Sequence, residues 1–350
     1  MTNAVTSTSG SVSGDNSDIA LSFLDLVPVS AGTDAATAIA ASVRTIQAAE
    51  QAGYSRFWVA EHHNTVNIAS SATAVLIGHL AGATSSIRVG SGGVMLPNHA
   101  PLRVAEDFGT LATIYPDRID LGLGRAPGTD PMTARELRRG RSDVADFAAD
   151  IRDLQRYLAP VRPEAHIIAY PGQGTNVPMY VLGSSTAGAS VAATLGMPFA
   201  FASHFSPFQL VEALEVYRSS FNPDAPTATV AKPYVMVATN TMVADTQEEA
   251  EYQFSVVQQM FLSLGRGGTR KPLPEPTKNP MAGATTMEWE RVKAVLQCSF
   301  TGTADDVATE MREFAREIEA DEIITTTYAH DPEVRINSVR ALGEAWNSQR

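Results

Sequence analysis

The sequence predicts an α/β fold, a (β/α)8 TIM barrel with insertions. Short apolar runs of strand length alternate with longer segments of helical periodicity, and eight such units follow one another from Ile19 onward. Because parallel strands need long crossover connections, this alternation indicates a parallel sheet, and eight units fit a closed barrel. An open doubly wound sheet is the alternative. It is expected to carry a Gly-x-Gly-x-x-Gly turn after the first strand, where this chain has Val27-Pro28-Val29-Ser30.

The first half of the chain contains four strand–helix units. Each predicted strand is a short apolar run, and each following segment places apolar residues at helical spacing. The third helix begins with a proline, which fits a first turn because its backbone N–H is not needed there. The strands are Ile19–Val27, Arg56–Ala60, Ile87–Leu96 and Arg118–Leu123, and the helices are Ala35–Ala52, Ser70–Thr84, Pro101–Ile114 and Pro131–Leu158.

The second half repeats this rhythm and adds two long connections. Its strands are Met179–Leu182, Phe199–Ala202, Tyr234–Asn240 and Glu322–Thr327, followed by helices at Thr186–Leu195, Pro207–Phe221, from Gln247, and at Pro332–Trp346. The connections Pro160–Pro178 and Leu264–Thr285 are rich in proline and glycine. Long insertions of this kind are often functional lids, and the second follows strand seven, on the catalytic side of a barrel. A plain surface insertion is the alternative.

Composition limits the classes of function. With 44% apolar and 18% charged residues, the chain is not mostly disordered. The net charge of −12 argues against a nucleic-acid partner, and no apolar run is long enough to cross a membrane. Residues 1–18 are small and polar without the pattern of a secretory signal, which predicts a disordered tail before a single barrel domain at 19–350. The lone Cys298 cannot form an internal disulfide, and a cytoplasmic location is predicted.

Strand two ends in Glu61-His62-His63, where barrel enzymes place their active sites. Side chains alternate along a strand, so one of the two histidines faces the barrel mouth. A neutral imidazole there can transfer protons near neutral pH. A hydrogen-bonded structural pair is one alternative. A metal site completed by His204 or His330 is a weaker one, because adjacent histidines on a strand diverge.

Strand three is unusually rich in glycine, with the run Gly90-Ser91-Gly92-Gly93. Glycine inside a strand costs stability, and its common reasons are a bulge or the close approach of a ligand to bare backbone. A flat aromatic ring is a ligand of this kind. The sequence leaves open whether these glycines form a ligand platform or only a bulge.

Two further strand ends together predict a site for a phosphate group. Arg125 follows strand four on a loop flanked by glycines, and its forked guanidinium suits a phosphate. The run Gly183-Ser184-Ser185-Thr186 follows strand five and opens a helix, whose free backbone N–H groups attract anions. Neighbouring strands would bring the two together. The alternative for the serines is that they only cap the helix.

Five motifs, in this order along the predicted barrel, carry a resemblance to a known family: Trp58–His63, Val89–Pro97, Asp120–Arg125, Gly302–Asp306 and His330–Arg335. The chain resembles the bacterial-luciferase-like flavin-dependent monooxygenases, over nearly its whole length from Ile19 to Trp346. The resemblance implies a barrel that binds FMN at the C-terminal ends of its strands.

The same resemblance implies roles for individual residues. A non-proline cis peptide under the flavin ring would fall at Gly92-Gly93. The phosphate contacts would be Arg125 together with Gly183, Ser184 and Ser185. His62 would act in proton transfer or in steadying the oxygenated flavin, with no metal at the site. The residues implied to line the ring pocket are Asp25 and Pro28 of strand one and Ala202 and Ser203 of strand six.

The function implied is oxidation of a small organic substrate by reduced FMN and O2. The flavin would be reduced by NAD(P)H directly or by a partner flavin reductase, and relatives are often homodimers. Three alternatives remain open at this point. They are an FMN- or deazaflavin-dependent dehydrogenase or reductase of the same fold, a metal-dependent barrel hydrolase using His62 and His63, and a barrel that has lost activity.

Overall fold

The computed structural model of the protein describes residues 19–126, 128–137, 144–267 and 271–349. The predicted tail of residues 1–18 lies outside the described residues. Strands and helices alternate through the described ranges. The strands are β1 (Ala20–Asp25), β2 (Arg56–Val59), β3 (Arg88–Met95), β4 (Ile119–Gly124), β5 (Met179–Gly183), β6 (Phe199–Phe201), β7 (Val235–Val243), β8 (Ser299–Gly302) and β9 (Glu322–Thr326).

Eight of these strands form a closed parallel barrel. Each of β1 to β5 pairs with the following strand. The barrel closes because β6 pairs with β7, β7 with β9, and β9 with β1. All of these pairings are parallel. The predicted (β/α)8 TIM barrel is therefore confirmed, and the open doubly wound sheet is wrong.

Helices cover the outside of the barrel. They are α1 (Ala35–Gln51), α2 (Thr73–Gly82), α3 (Pro101–Ile114), α4 (Pro131–Leu137), α5 (Val144–Leu158), α6 (Thr186–Leu195), α7 (Leu210–Ser219), α8 (Gln247–Gly265), α9 (Thr286–Val295), α10 (Ala304–Glu317) and α11 (Pro332–Ser348). Local sequence signals fix several starts. Asp34 accepts a hydrogen bond from the N–H of Thr37 at 2.8 Å at the start of α1, and Thr285 and Glu288 form a capping box on α9.

One strand differs from the sequence prediction. The helical region predicted from Pro131 to Leu158 is helical on both sides of residues 138–143, which lie outside the described residues, as α4 and α5. The short strand β8 was not predicted; it pairs with the last residues of β7, from Asn240 to Val243, beyond the barrel wall. The eighth strand of the barrel itself is β9, as the alternation predicted.

Charged residues fill the barrel interior at the N-terminal ends of the strands. Arg56 donates to Glu322 at 2.8 Å and to Asp120 at 2.7 Å. Its guanidinium also donates to the hydroxyl of Tyr180 at 2.8 Å. Because each buried charge has an opposite charge and further hydrogen bonds, this layer satisfies the requirement for burying ions. It fills the floor of the barrel, at the end opposite the C-terminal ends of the strands.

The two long connections lie in different places. Residues 160–178 pack on the outer helices. Gly172 lies against Gly109 of α3, and a Cβ added to Gly109 would be 2.2 Å from the Cα of Gly172. None of them lines the central cavity, so this connection is a surface insertion and the lid prediction for it is wrong. In the second connection, Leu273 exchanges backbone hydrogen bonds of 2.8 Å with Val29 and Ala31 beyond the end of β1. Across the described ranges, no helix combines the length and apolarity that crossing a lipid bilayer requires.

Candidate active site

A cavity of about 1010 Å³ opens at the C-terminal ends of the barrel strands. Its walls come from the loops after β2, β4, β5 and β6, and from α8 and α9. Most of the lining is apolar, with a few polar groups, which is the usual composition of a small-molecule site. Seven of the predicted site residues line it: His62, Gly92, Arg125, Gly183, Ser184, Ser185 and Ala202.

One part of the cavity is suited to an anion. Gly124 pairs with Leu182, so the register of β4 and β5 places Arg125 next to Gly183 and the start of α6. Among the described residues, none forms an ion pair or hydrogen bond with Arg125. Ser185 stands at the N-cap with extended backbone and no side-chain capping bond, so the first-turn N–H groups of α6 are free to bind an anion.

The ring of His62 is held in one tautomer. Its Nδ1 lies 3.2 Å from the carbonyl oxygen of Gly128, and because a carbonyl only accepts, Nδ1 carries the proton. Nε2 therefore keeps its lone pair. Burial lowers the pKa of His62, and the hydrogen bond to Gly128 offsets this only in part. His62 is thus a neutral base on the cavity wall at neutral pH.

Glu61 and His63, the neighbours of His62 in the loop after β2, form a cluster with His99. Oε1 of Glu61 accepts hydrogen bonds from Nε2 of His63 at 2.9 Å and from Nε2 of His99 at 2.8 Å. Burial raises the pKa of Glu61, but the hydrogen bonds from His99, His63 and the N–H of Met95 outweigh it and hold the pKa below its usual value. The candidate ligand atoms of Glu61, His63 and His99 lie within 4.8 Å of one another, close enough to hold a metal ion.

The bend in β3 lies between Ser91 and Val94, where its register with β4 shifts. The Gly92-Gly93 peptide there is cis, as the resemblance implied. A Cβ on Gly92 would lie 2.7 Å from Cδ1 of Leu24 and 3.0 Å from Cβ of Trp58. Glycine at this position therefore leaves room for Leu24 and Trp58, and Gly92 also lines the cavity. A bulge is present, and a role as a ligand platform stays a prediction.

Four predicted site residues lie outside the cavity lining. Asp25 faces the helix layer, where it accepts hydrogen bonds from Arg335 and Ser42, while its neighbours Leu24 and Leu26 face the cavity. The hydroxyl of Ser203 donates to the carbonyl of Ala238. The other two residues are Pro28, which bridges to Ile68, and Gly93, which packs against Gly122. A contact of these four with a cofactor remains a prediction.

The sequence reasoning missed two parts of the lining. One is the wall from α8 and α9, which includes Met260, Phe261 and Arg291; the position of α8 directly after strand seven was the available signal. The other is His204, three residues beyond β6, considered from the sequence only as a metal ligand. Its position after a strand end is the same signal that identified His62.

Comparisons with known proteins identify the family of the chain. The profile of the family described as luciferase-like monooxygenase matches residues 20–322. A luciferase-like monooxygenase of Escherichia coli K12 is 46% identical over 91% of this chain and 95% of its own length. An N-acetyl-S-alkylcysteine monooxygenase of Bacillus subtilis is 39% identical over 67% of this chain and 70% of its own. The crystal structure of apo-MsnO8 superposes with a TM-score of 0.82 at 32% identity, covering 94% of this chain and 98% of that one.

Proposed function

The chain belongs to the luciferase-like monooxygenase family, and on that premise we propose that it is a flavin-dependent monooxygenase using reduced FMN and O2 to oxidise a small organic substrate. The observation that carries the proposal is the anion site beside an apolar cavity. Arg125, which has no partner among the described residues, adjoins the free N–H groups that open α6. A phosphate ester with a large flat ring fits both halves of this arrangement.

The residues present fit FMN. The guanidinium of Arg125 and the N–H groups of Gly183, Ser184 and Ser185 would hold the phosphate through charge-assisted hydrogen bonds. The bulged backbone at Gly92 would border the ring. When bound and reduced, the flavin supplies the electrons that activate O2, and the protein provides binding, orientation and electrostatics.

His62 is the proposed proton-transfer group. Its Nδ1–H is bonded to Gly128, so its Nε2 lone pair can accept a proton from a reacting group in the cavity. Apolar side chains such as Leu24, Trp58 and Phe261 line the same space. They would exclude water from the reacting atoms, which strengthens polar interactions within the site.

The substrate and partners are also part of the proposal. The name of the Bacillus subtilis relative, N-acetyl-S-alkylcysteine monooxygenase, supports N-acetylated S-alkylcysteines as the first compounds to test. We propose that NAD(P)H or a separate flavin reductase reduces the FMN. A homodimer and a cytoplasmic location stay predictions.

The test has two steps. Purified protein is mixed with FMN, and binding is followed by quenching of flavin fluorescence. Oxygen uptake is then recorded with NADH or NADPH, with and without an added flavin reductase, in the presence of the substrate series. Binding of FMN with substrate-dependent oxygen uptake supports the proposal. Binding of FMN without oxygen use indicates a dehydrogenase or reductase. Absence of FMN binding rejects the FMN assignment. A deazaflavin is the control ligand in the binding measurement.

A further inference from the structure

His204 lies in the wall of the cavity, three residues beyond β6. It is only 8% exposed, and its ring packs edge-on against Phe205 with centroids 4.9 Å apart. The neighbouring wall is formed by apolar groups, including Ala202 and Ala238. The ring is therefore almost fully enclosed, with apolar groups on one side and His62 nearby.

This histidine differs from the other six in the chain. Its Nδ1 is buried and has no hydrogen-bond partner among the described residues. Each of the others either bonds through a ring nitrogen or lies exposed at the surface. The bonded ones are His62, His63, His99 and His330, and the exposed ones are His79 and His166.

The backbone around His204 is fixed. Asn240 of β7 donates from Nδ2 to the carbonyl of His204 at 2.7 Å and to the hydroxyl of Ser299 in β8 at 3.2 Å. The hydroxyl of the preceding Ser203 donates to the carbonyl of Ala238. The ring is thus held in place by its neighbours. Its Nδ1 is enclosed by protein, so Nε2, which has no hydrogen-bond partner among the described residues, is the nitrogen that can meet a molecule in the cavity.

We propose that His204 is a second histidine of the active site, which hydrogen-bonds an uncharged carbonyl or amide group of the molecule bound in the cavity. The inference rests on the proposed function. An uncharged partner is favoured because a neutral imidazole offers one donor and one acceptor and no net charge. Burial, together with the nearby His62, lowers the pKa of His204 to about 3, so the ring is neutral throughout the working range of pH.

Two molecules could supply such a group: the imide edge of the FMN ring, or the acetamide of an N-acetyl-S-alkylcysteine. The experiment compares wild type with His204→Phe, which keeps a flat ring without nitrogen atoms, and with His204→Gln, which restores a donor and an acceptor. His79→Phe on the exposed surface is the matched control. The readouts are the Kd for FMN, and KM and kcat for N-acetyl-S-alkylcysteines in oxygen uptake.

Loss of one neutral hydrogen bond corresponds to an effect of about three- to tenfold. If FMN supplies the group, His204→Phe raises the Kd for FMN by that factor. If the substrate supplies it, the Kd for FMN stays unchanged and KM rises or kcat falls. In both cases His204→Gln recovers part of the loss, and His79→Phe matches wild type.

Equal values for wild type and His204→Phe with both compounds would overturn the proposal. Wild-type protein that does not bind FMN would overturn the proposed function itself, so the two failures are distinguishable. Far-UV circular dichroism checks that the variants fold. Should His204→Phe not fold, His204→Leu, which also lacks a donor and an acceptor, takes its place: unchanged Kd and KM in folded His204→Leu would overturn the proposal.

Discussion

The guanidinium of Arg335 in α11 donates a hydrogen bond to Oδ1 of Asp25 in β1 at 2.8 Å, with both side chains buried. The same guanidinium donates to the hydroxyl of Thr45 in α1 at 3.0 Å. The second carboxylate oxygen of Asp25 accepts from Ser42 of α1. This ion pair therefore joins the first barrel strand to its two covering helices, outside the cavity.

Breaking this pair should destabilise the fold and leave flavin binding intact. We expect Arg335→Ala to lower the free energy of unfolding by about 3–5 kcal/mol, because the carboxylate of Asp25 stays buried without its counter-charge. Urea unfolding measures this. The exposed pair Arg44–Glu333 provides the control, since Arg44→Ala should cost less than about 1 kcal/mol. A much larger loss of FMN affinity than of stability in Arg335→Ala would instead place Asp25 in the cofactor site.

Arg125 should determine affinity for the phosphate group. We expect Arg125→Ala to weaken FMN binding by about 1.5–3 kcal/mol, the range for hydrogen bonds to a charged group. Riboflavin, which lacks the phosphate, should bind equally to wild type and variant. Fluorescence titration measures both ligands. Arg103→Ala, on the outer helix α3, is the charge control, and an unchanged Kd for FMN in Arg125→Ala would remove the phosphate role.

His204 should make stability depend on pH in the acid range. Burial lowers its pKa from 6.5 to about 3. Between these values the unfolded chain binds a proton that the folded protein does not, so the free energy of unfolding falls as the pH falls below 6.5 and is level above it.

From pH 7 to pH 5 this amounts to about 2 kcal/mol for the wild type. His204→Phe should lack this part of the loss, and the exposed His79→Phe should keep it. Urea unfolding at the two pH values gives the comparison. Parallel pH dependence in wild type and His204→Phe would show that the ring is protonated in the folded protein.

Metal removal should leave flavin-dependent turnover unchanged. In the cluster of Glu61, His63 and His99, the two Nε2 atoms that could bind a metal lie at hydrogen-bond distance from the carboxylate. We infer that they carry the protons of these bonds, which a metal would have to displace. Elemental analysis and turnover after dialysis against EDTA test this. A stoichiometric metal whose removal abolishes activity would support the hydrolase alternative.

The fold was predictable because each barrel strand is a short apolar run followed by a helix-length segment. Strand β8 was missed since Ser299–Gly302 has only four residues, is largely half-buried and pairs with the end of β7 alone.

The candidate site was predictable where a strand end alone decides the position, as for His62 and Arg125. Asp25 shows the limit. Both faces of β1 are buried, one toward the cavity and one toward the helices. Both therefore carry apolar residues, and the sequence does not reveal toward which of the two Asp25 points. The wall from α8 and α9 depends on contacts between distant segments, which no local pattern specifies.

Close packing between β3 and β4 gives a last prediction. A Cβ on Gly122 would lie 2.2 Å from the carbonyl oxygen of Ser91 and 2.9 Å from Cδ1 of Leu182. The first contact is with backbone of a paired strand, which can yield only by shifting the barrel. We expect Gly122→Ala to destabilise the protein by about 2 kcal/mol or more.

Gly265→Ala is the control. Gly265 lies at the end of α8, with no atom within 4 Å of the added Cβ, so this change should be neutral or stabilise the protein by about 0.5 kcal/mol through helix propensity. Urea unfolding of the two variants measures the difference. Equal stabilities would contradict the close contact between β3 and β4, because the added methyl group would then fit without cost.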